Sequence, residues 1–488
     1  MHLKIIRAIS LATAIVLEAC HSPARPRVAA QSTLERAPAI VHAWLTTGDR
    51  TRLLNREADL NLSADTAAPT PAIATIDVDA AAVYQQIVGF GAAMTDASAF
   101  LMMHRMPAKD REVLLQDLFG RDSGIALSFI RVPMGASDFS IRHYSYDDMP
   151  APETDSALAH FSIDDDRVEK IPLLKRALEI NPQIKLVASP WSPPAWMKTS
   201  GSLIKGSLLP RFYDSFAEYF VKFIRAYGAA GLPIYALTVQ NEPNFEPENY
   251  PGMRLEAAAR ARVIGDHLGP RLERAGIRTM IWDWDHNWDV PQSPMEVLAD
   301  PRARKYVQGV AWHCYGGDVS AQSKVVNAFP GKDTWFTECS GGEWAPNFAD
   351  NLTWNVGTLV IGATRNWARG VALWNLALDE KAGPHKGGCG NCRGVVTIDS
   401  KTGAYTRNVE YYALAHASKF VRPGARRIRS ESADTTLANV AFQNPDGYTK
   451  VLIVVNPAKE ARTFAVRWLG RVVRYTLPAG SVVTFIWG

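Results

Sequence analysis

Two glutamates carry the chemical promise of this sequence. Glu242 closes "LTVQNE" and Glu338 closes "TWFTE", each at the end of a run whose apolar residues suit a β-strand. Two facing carboxyls can cleave a glycosidic bond. One is protonated and gives its proton to the leaving oxygen; the other is ionised and attacks the anomeric carbon. Burial and a like charge nearby raise the pKa of the acid, whereas an arginine neighbour keeps the nucleophile charged. Arg131, in "LSFIRVP", is the candidate for that neighbour. A single glutamate at a strand end serves equally well as a salt-bridge partner, so the pair gains meaning only from its surroundings. Those surroundings are aromatic. There are 14 tryptophans, and Trp191, Trp196, Trp282, Trp284, Trp312, Trp344 and Trp374 sit beside polar residues. An aromatic face covers the C–H face of a pyranose while polar neighbours bond its hydroxyls.

For those side chains to meet, their strands must converge. Residues 83–404 alternate apolar β runs with amphipathic runs, such as "DSFAEYFVKFIRAYGAAG" with Phe216, Tyr219, Phe220 and Phe223 at helical spacing. About eight β–α alternations predict a (β/α)8 TIM barrel, whose chemistry lies at the C-terminal strand ends. Glu242 and Glu338 then end the fourth and seventh strands. Pro243, which has no N–H, reads as the stop of the fourth. Asp283 and Asp285 end the fifth, His313 and Tyr315 the sixth, and Trp374 lies on the eighth. The rival, a doubly wound sheet, lacks a G-x-G-x-x-G opening a helix. From 405 to 488 the pattern reads as β only, with "NPDG" as a hairpin turn. Together with strands in 39–82 it predicts an attached all-β sandwich domain.

The charge balance, 53 bases against 49 acids in 488 residues, is too even for a nucleic-acid binder. Arg422, Arg426, Arg427 and Arg429 read as a solvated cluster. Residues 1–20 read as an export signal: His2, Lys4 and Arg7 precede an apolar stretch from Ala8 to Leu17, too short to span a bilayer. "LEAC" resembles a lipoprotein cleavage site, which makes Cys20 a candidate for lipidation and an N-terminal anchor the one expected link to a membrane. Glu18 departs from that pattern. Residues 21–38 read as a tether. The expected location is exported: periplasmic, outer-membrane-anchored or extracellular. Cys389 and Cys392 in "GGCGNC" suit a small disulfide in an exported protein. A zinc site would need two further ligands. Cys339, beside Glu338, reads as an inert core thiol pointing away from the site.

Six blocks in register carry a resemblance: "VGFGAAMTDASAF", "IRVPMGASDFSIRHYSY", "ASPWSPPAWMKT", "LTVQNEPNF", "FTECSGGEW" and "WNLALDEKAGP". Over about Gln86 to Phe420 the chain looks like glycoside hydrolase family 30, and most like its glucosylceramidase (acid β-glucosidase) branch. The resemblance implies a retaining enzyme without cofactor or metal. It implies Glu242 as acid/base, Glu338 as nucleophile, and Asn241 on the sugar 2-hydroxyl. Asp96 and Trp191 would hold the remote hydroxyls, and Trp374, His313 and Tyr315 would complete the site. Since this chemistry needs no metal, Asp283 and Asp285 read as structural or rim residues. Cys314 stands where that branch has tryptophan. "GGCGNCRGVVTID" looks more like bacterial and fungal members, including endo-β-1,6-glucanases. The expected function is therefore cleavage of a β-glucoside, glycolipid or β-glucan, of glucosylceramidase type. The alternative is an endo-β-1,6-glucanase, and a third reading is a non-catalytic glycan-binding lipoprotein.

Overall fold

The computed structural model describes residues 40–64 and 73–488. The export signal, the tether and Cys20 lie outside the described residues. Eight parallel strands close into a barrel. They are Gly89–Ala93, Phe129–Met134, Lys185–Pro190, Ile234–Thr238, Met280–Asn287, Val307–His313, Asp333–Glu338 and Ala368–Asn375, numbered one to eight below. Helices outside and side chains inside bury both faces of each strand, so they read as nearly continuous apolar runs. The second strand, "FIRVPM", is buried at every position.

The lower interior of the barrel is filled by Phe129, Trp282 and Trp335, with small residues such as Ala236, Ala311 and Ala372 around them. Trp282 and Trp335 stack with ring centroids 4.1 Å apart. This packed layer closes the barrel below and leaves the upper, C-terminal end for polar groups. The first strand must approach the second very closely: a Cβ on Gly91 would lie 2.0 Å from the Phe129 carbonyl oxygen. Outside, the helix Tyr213–Ala229 turns Phe216, Tyr219, Phe220 and Phe223 into the core, as their spacing predicts.

The attached domain is an eleven-stranded sheet drawing on both ends of the described chain. Ile40–Thr46 pairs with the last strand, Ser481–Trp487. Ala74–Gln86 lies between Arg426–Ser432 and Arg462–Trp468. The stretch after 405 is not β only. Tyr405–Arg407 pairs with Val396–Ile398, and Val409–Ser418 is a helix with every residue buried. A helix covered on all sides has no polar stripe, so its period is invisible in the sequence. Its His416 is enclosed between the two domains: Nδ1 lies 2.9 Å from Thr484 Oγ1 and Nε2 2.9 Å from Thr46 Oγ1. Among the described residues, no helix is long and apolar enough to cross a membrane.

Candidate active site

Glu338 is the last residue of the seventh strand, so alternation alone delivers it to the barrel mouth. Arg131, fully buried on the second strand, donates to it from Nη1. Nη2 donates to Asn241 Oδ1 at 2.7 Å and to Asp285 Oδ2 at 2.8 Å. The guanidinium carbon lies 4.8 Å from the ring centroid of Trp191 and 5.4 Å from that of Trp374, and these two rings stack 4.9 Å apart. One cation thus aligns the candidate nucleophile, an amide and a second acid against an aromatic wall. Tyr315 adds a hydroxyl donor to Glu338 Oε1 at 2.9 Å.

Glu242 arrives differently. The fourth strand ends at Thr238, well before Pro243, so the proline is not what stops the pairing. The backbone beyond is held from both sides: the Asn241 N–H donates to the Pro190 carbonyl at 2.8 Å, and the Glu242 N–H to that of Asp285 at 3.0 Å. Glu242 has φ +48°, a left-handed conformation that costs a side-chain-bearing residue about 1–3 kcal/mol and persists where surroundings impose it. The imposing neighbour is a bulge in the fifth strand. Trp284 and Asp285 both have positive φ, and the pairing register shifts between Trp284 and His286. Simple alternation would put Asp283 and Asp285 on one face. Instead Asp283 pairs with Arg260 outside the barrel at 2.8 Å, while Asp285 turns inward.

Of the structural and rim roles expected for Asp285, the structure shows the structural one, at the centre of the site rather than at its rim. Its carboxylate accepts from Arg131, Ser189, Thr238 and Thr337 at 2.7–2.8 Å, and His313 Nε2 lies 3.0 Å away. Burial alone would raise this carboxyl; the Arg131 charge and these bonds hold it well below the usual range. An ionised Asp285 fixes His313 with Nε2–H toward it and Nδ1 toward Glu242 Oε1, 3.1 Å away. Burial pushes His313 down, but the charge of Glu338 and the bonds to Asp285 and Glu242 outweigh it and raise its pKa to about 9. Burial also raises Glu338, against the pull of His313 and Arg131. Glu242, for which burial is again the largest influence, is nonetheless held down by His313 and His286. His313 and Glu242 consequently share one proton: imidazolium beside carboxylate, or imidazole beside carboxylic acid, one transfer apart.

The cavity above holds about 620 Å³ and is lined by Asp138, Trp191, Asn241, Glu242, Tyr250, His286, Tyr315, Glu338, Trp344 and Trp374, among others. Phe245, Glu248 and the disulfide Cys389–Cys392 form its outer part. Arg131 and His313 lie behind this wall. Asp96 is not on it. Its carboxylate accepts from Ser140 and from Tyr144 (2.9 Å) and pairs with Lys170 (3.1 Å), so it braces the loop behind the site. The carboxyl that reaches the cavity from that side is Asp138, two residues before Ser140. Burial, then the charge of Glu338, pushes its pKa to about 8. The structure adds Asp138, Asp285 and His286 to the residues expected at the site; of these, Asp138 carries a sequence signal, since it lies in "GASDFS" within one of the six blocks.

A second departure concerns cysteine. Cys339 is no free thiol: it is bonded to Cys314, with Cα atoms 5.4 Å apart. The pairing of the sixth and seventh strands shifts register after Trp312, which sets His313 opposite Glu338 and so brings the next residues of both strands together. One donor atom each from Glu242, His313 and Glu338 lie within 4.8 Å of one another, a spacing that could also hold a divalent cation. Arg131 already supplies a positive charge to Glu338, which opposes a second cation there.

Comparison with known proteins bears on the fold and the family. Residues 87–421 match the glycosyl hydrolase family 30 TIM-barrel domain, and residues 424–485 the glycosyl hydrolase family 30 beta sandwich domain. An endo-1,6-beta-D-glucanase of Aspergillus fumigatus is 35% identical over 440 residues, covering 84% of this chain and 87% of that protein. The lysosomal acid glucosylceramidase of Mus musculus is 33% identical over 433 residues, covering 83% and 81%. The solved structure of the endo-beta1,6-glucanase BT3312 superposes with a TM-score of 0.84 at 33% identity, covering 92% of this chain and 99% of that one.

Proposed function

The chain belongs to glycoside hydrolase family 30, and from that membership we propose a retaining β-glycosidase whose substrate is a β-1,6-linked glucan. One observation carries the chemistry: Glu242 and Glu338 approach to within 4.8 Å between carboxylate oxygens and have opposite kinds of partner. Retaining enzymes hold their carboxyls about 5–5.5 Å apart, and inverting ones further, to admit a water. Glu338 receives two donors, Arg131 and Tyr315, which stabilise its anion against the burial that raises its pKa. Glu242 faces His313, with which it shares a proton.

In the first step a Glu338 oxygen forms a bond to the anomeric carbon. The glycosidic C–O bond breaks, and Glu242 gives its proton to the departing oxygen. In the second, Glu242 takes a proton from water as that water attacks the same carbon and releases Glu338. Asn241, oriented by Arg131, faces the sugar hydroxyl nearest the nucleophile, and Trp191 and Trp374 cover the ring.

On substrate, the glucosylceramidase type expected first gives way to the alternative. The endo-β-1,6-glucanases of Aspergillus fumigatus, Neurospora crassa and Trichoderma harzianum align at 34–35% identity, and the disulfide loop Cys389–Cys392 forms part of the outer cavity wall. Two disulfides among the described residues also support export to an oxidising compartment, with or without a lipid on Cys20. The decisive experiment offers β-1,6-glucan, glucosylceramide and an aryl β-glucoside, with proton NMR of the first sugar released. The expected result is turnover of the glucan with the β anomer appearing first. Glucosylceramide as the preferred substrate overturns the substrate class, and an α anomer overturns retention.

A further inference from the structure

A second cavity, about 550 Å³, adjoins the catalytic one and is lined by Tyr315, Trp344, Trp354, Asp350, Ser340 and the disulfide Cys314–Cys339, among others. Its size lies within the range of small-ligand sites. Two of its walls, Tyr315 and Trp344, are also walls of the catalytic cavity, so the two cavities share one aromatic edge. The aromatic side chains here are unusually open: Tyr315 is 47% exposed, Trp344 54% and Trp354 45%. Large exposed apolar groups gathered at one place mark a binding surface. The chemistry that mechanism requires uses Tyr315 only through its hydroxyl, and Trp354 not at all.

We propose that this second cavity is a distal subsite, where a further glucose unit of the same glucan chain packs on Trp354 and the outer face of Tyr315. The inference rests on the β-1,6-glucan reading and extends it. The stacked Trp191 and Trp374 form one wall of the catalytic cavity, and Tyr315 and Trp344 line both cavities, so a glucan chain leaving the first over these two side chains meets the second. Aromatic faces beside the carboxylate of Asp350 and the hydroxyl of Ser340 match a pyranose, which presents C–H to one face and hydroxyls at its edge. Occupancy is coupled to catalysis through Tyr315: its ring borders the distal sugar while its hydroxyl holds Glu338 at 2.9 Å.

The test is Trp354→Ala, assayed on β-1,6-linked gluco-oligosaccharides from the shortest cleaved to the longest available, alongside an aryl β-glucoside. KM for the long oligosaccharides should rise about tenfold, the scale of one lost aromatic contact. The shortest substrate and the aryl glucoside should be unaffected, and Trp354→Phe should restore most of the loss. If Trp354→Ala folds poorly, Trp354→Gln serves for the same comparison. An unchanged dependence on chain length overturns the subsite while leaving the function intact. An equal loss on every substrate also overturns it. A loss confined to glucosylceramide in mixed micelles makes the occupant a lipid and overturns the sugar assignment. A wild-type protein without turnover of any β-1,6-glucan sinks the functional reading and this one with it.

Discussion

His416 makes the stability of the whole protein answer to acid. It is fully buried between the barrel and the sheet, and burial pushes its pKa down to about 3. Thr484 donates its hydroxyl to the His416 carbonyl at 3.0 Å, so it accepts from Nδ1–H. Nε2 is left to accept from Thr46, and the neutral ring is satisfied on both sides. In the unfolded chain an ordinary histidine titrates near 6.5. Below that pH the unfolded state binds a proton that the folded state refuses until about 3. The stability is therefore fully present above 6.5 and lost as pH falls toward 3, at about 1.4 kcal/mol per pH unit. The full loss is about 5 kcal/mol, of which about 2.5 kcal/mol falls between pH 7 and pH 4.5. The assay is urea unfolding of wild type and His416→Gln at those two pH values. The variant should be less stable at pH 7, yet lose about 2.5 kcal/mol less on acidification. Parallel losses in the two proteins refute the reasoning, because other groups would then carry the whole acid response.

Three further outcomes are expected. Glu338→Gln should abolish turnover of every β-glucoside, whereas Glu242→Gln should lose roughly 10²–10⁴-fold on glucan and far less on an aryl glucoside whose leaving group needs no proton, as steady-state rates will show. The basic limb of the pH profile of kcat/KM should follow the proton shared by His313 and Glu242 and fall as pH rises through about 9. Asp285→Asn removes one of the groups raising that proton's pKa, so the limb should move to lower pH. Gly91→Ala drives a Cβ against the Phe129 backbone and should destabilise by about 1–3 kcal/mol or more, read as a lowered Tm with little change in KM.

The sequence shows its regular parts and hides its irregular ones. Glu338 ends a strand without interruption, so counting strands finds it. Glu242 stands four residues past the end of its strand, in left-handed backbone, and is placed by contacts with the third and fifth strands that no local pattern reports. The inward turn of Asp285 is not legible in the sequence, because the bulge at Trp284 breaks the alternation that would put it on the same face as Asp283. The block around Asp96 shows that the residue is acidic but not that its carboxylate already has partners behind the site. Its partners Ser140, Tyr144 and Lys170 lie 44 to 74 positions away. The helix Val409–Ser418 is hidden for a different reason: a helix buried all round carries no hydrophobic stripe.

The bond between Cys314 and Cys339 ties the residue after His313 to the residue after Glu338, and Tyr315 follows directly. The barrel's packed layer of Phe129, Trp282 and Trp335 owes nothing to that link, so a chain matured in a reducing cytosol should reach the same fold. What it would lack is the tie holding the tyrosine hydroxyl against the nucleophile. Specific activity then records the oxidation history of a preparation as well as its purity. Two recombinant batches that are indistinguishable by size and melting behaviour should separate on a free-thiol titration, and rank in activity by its result.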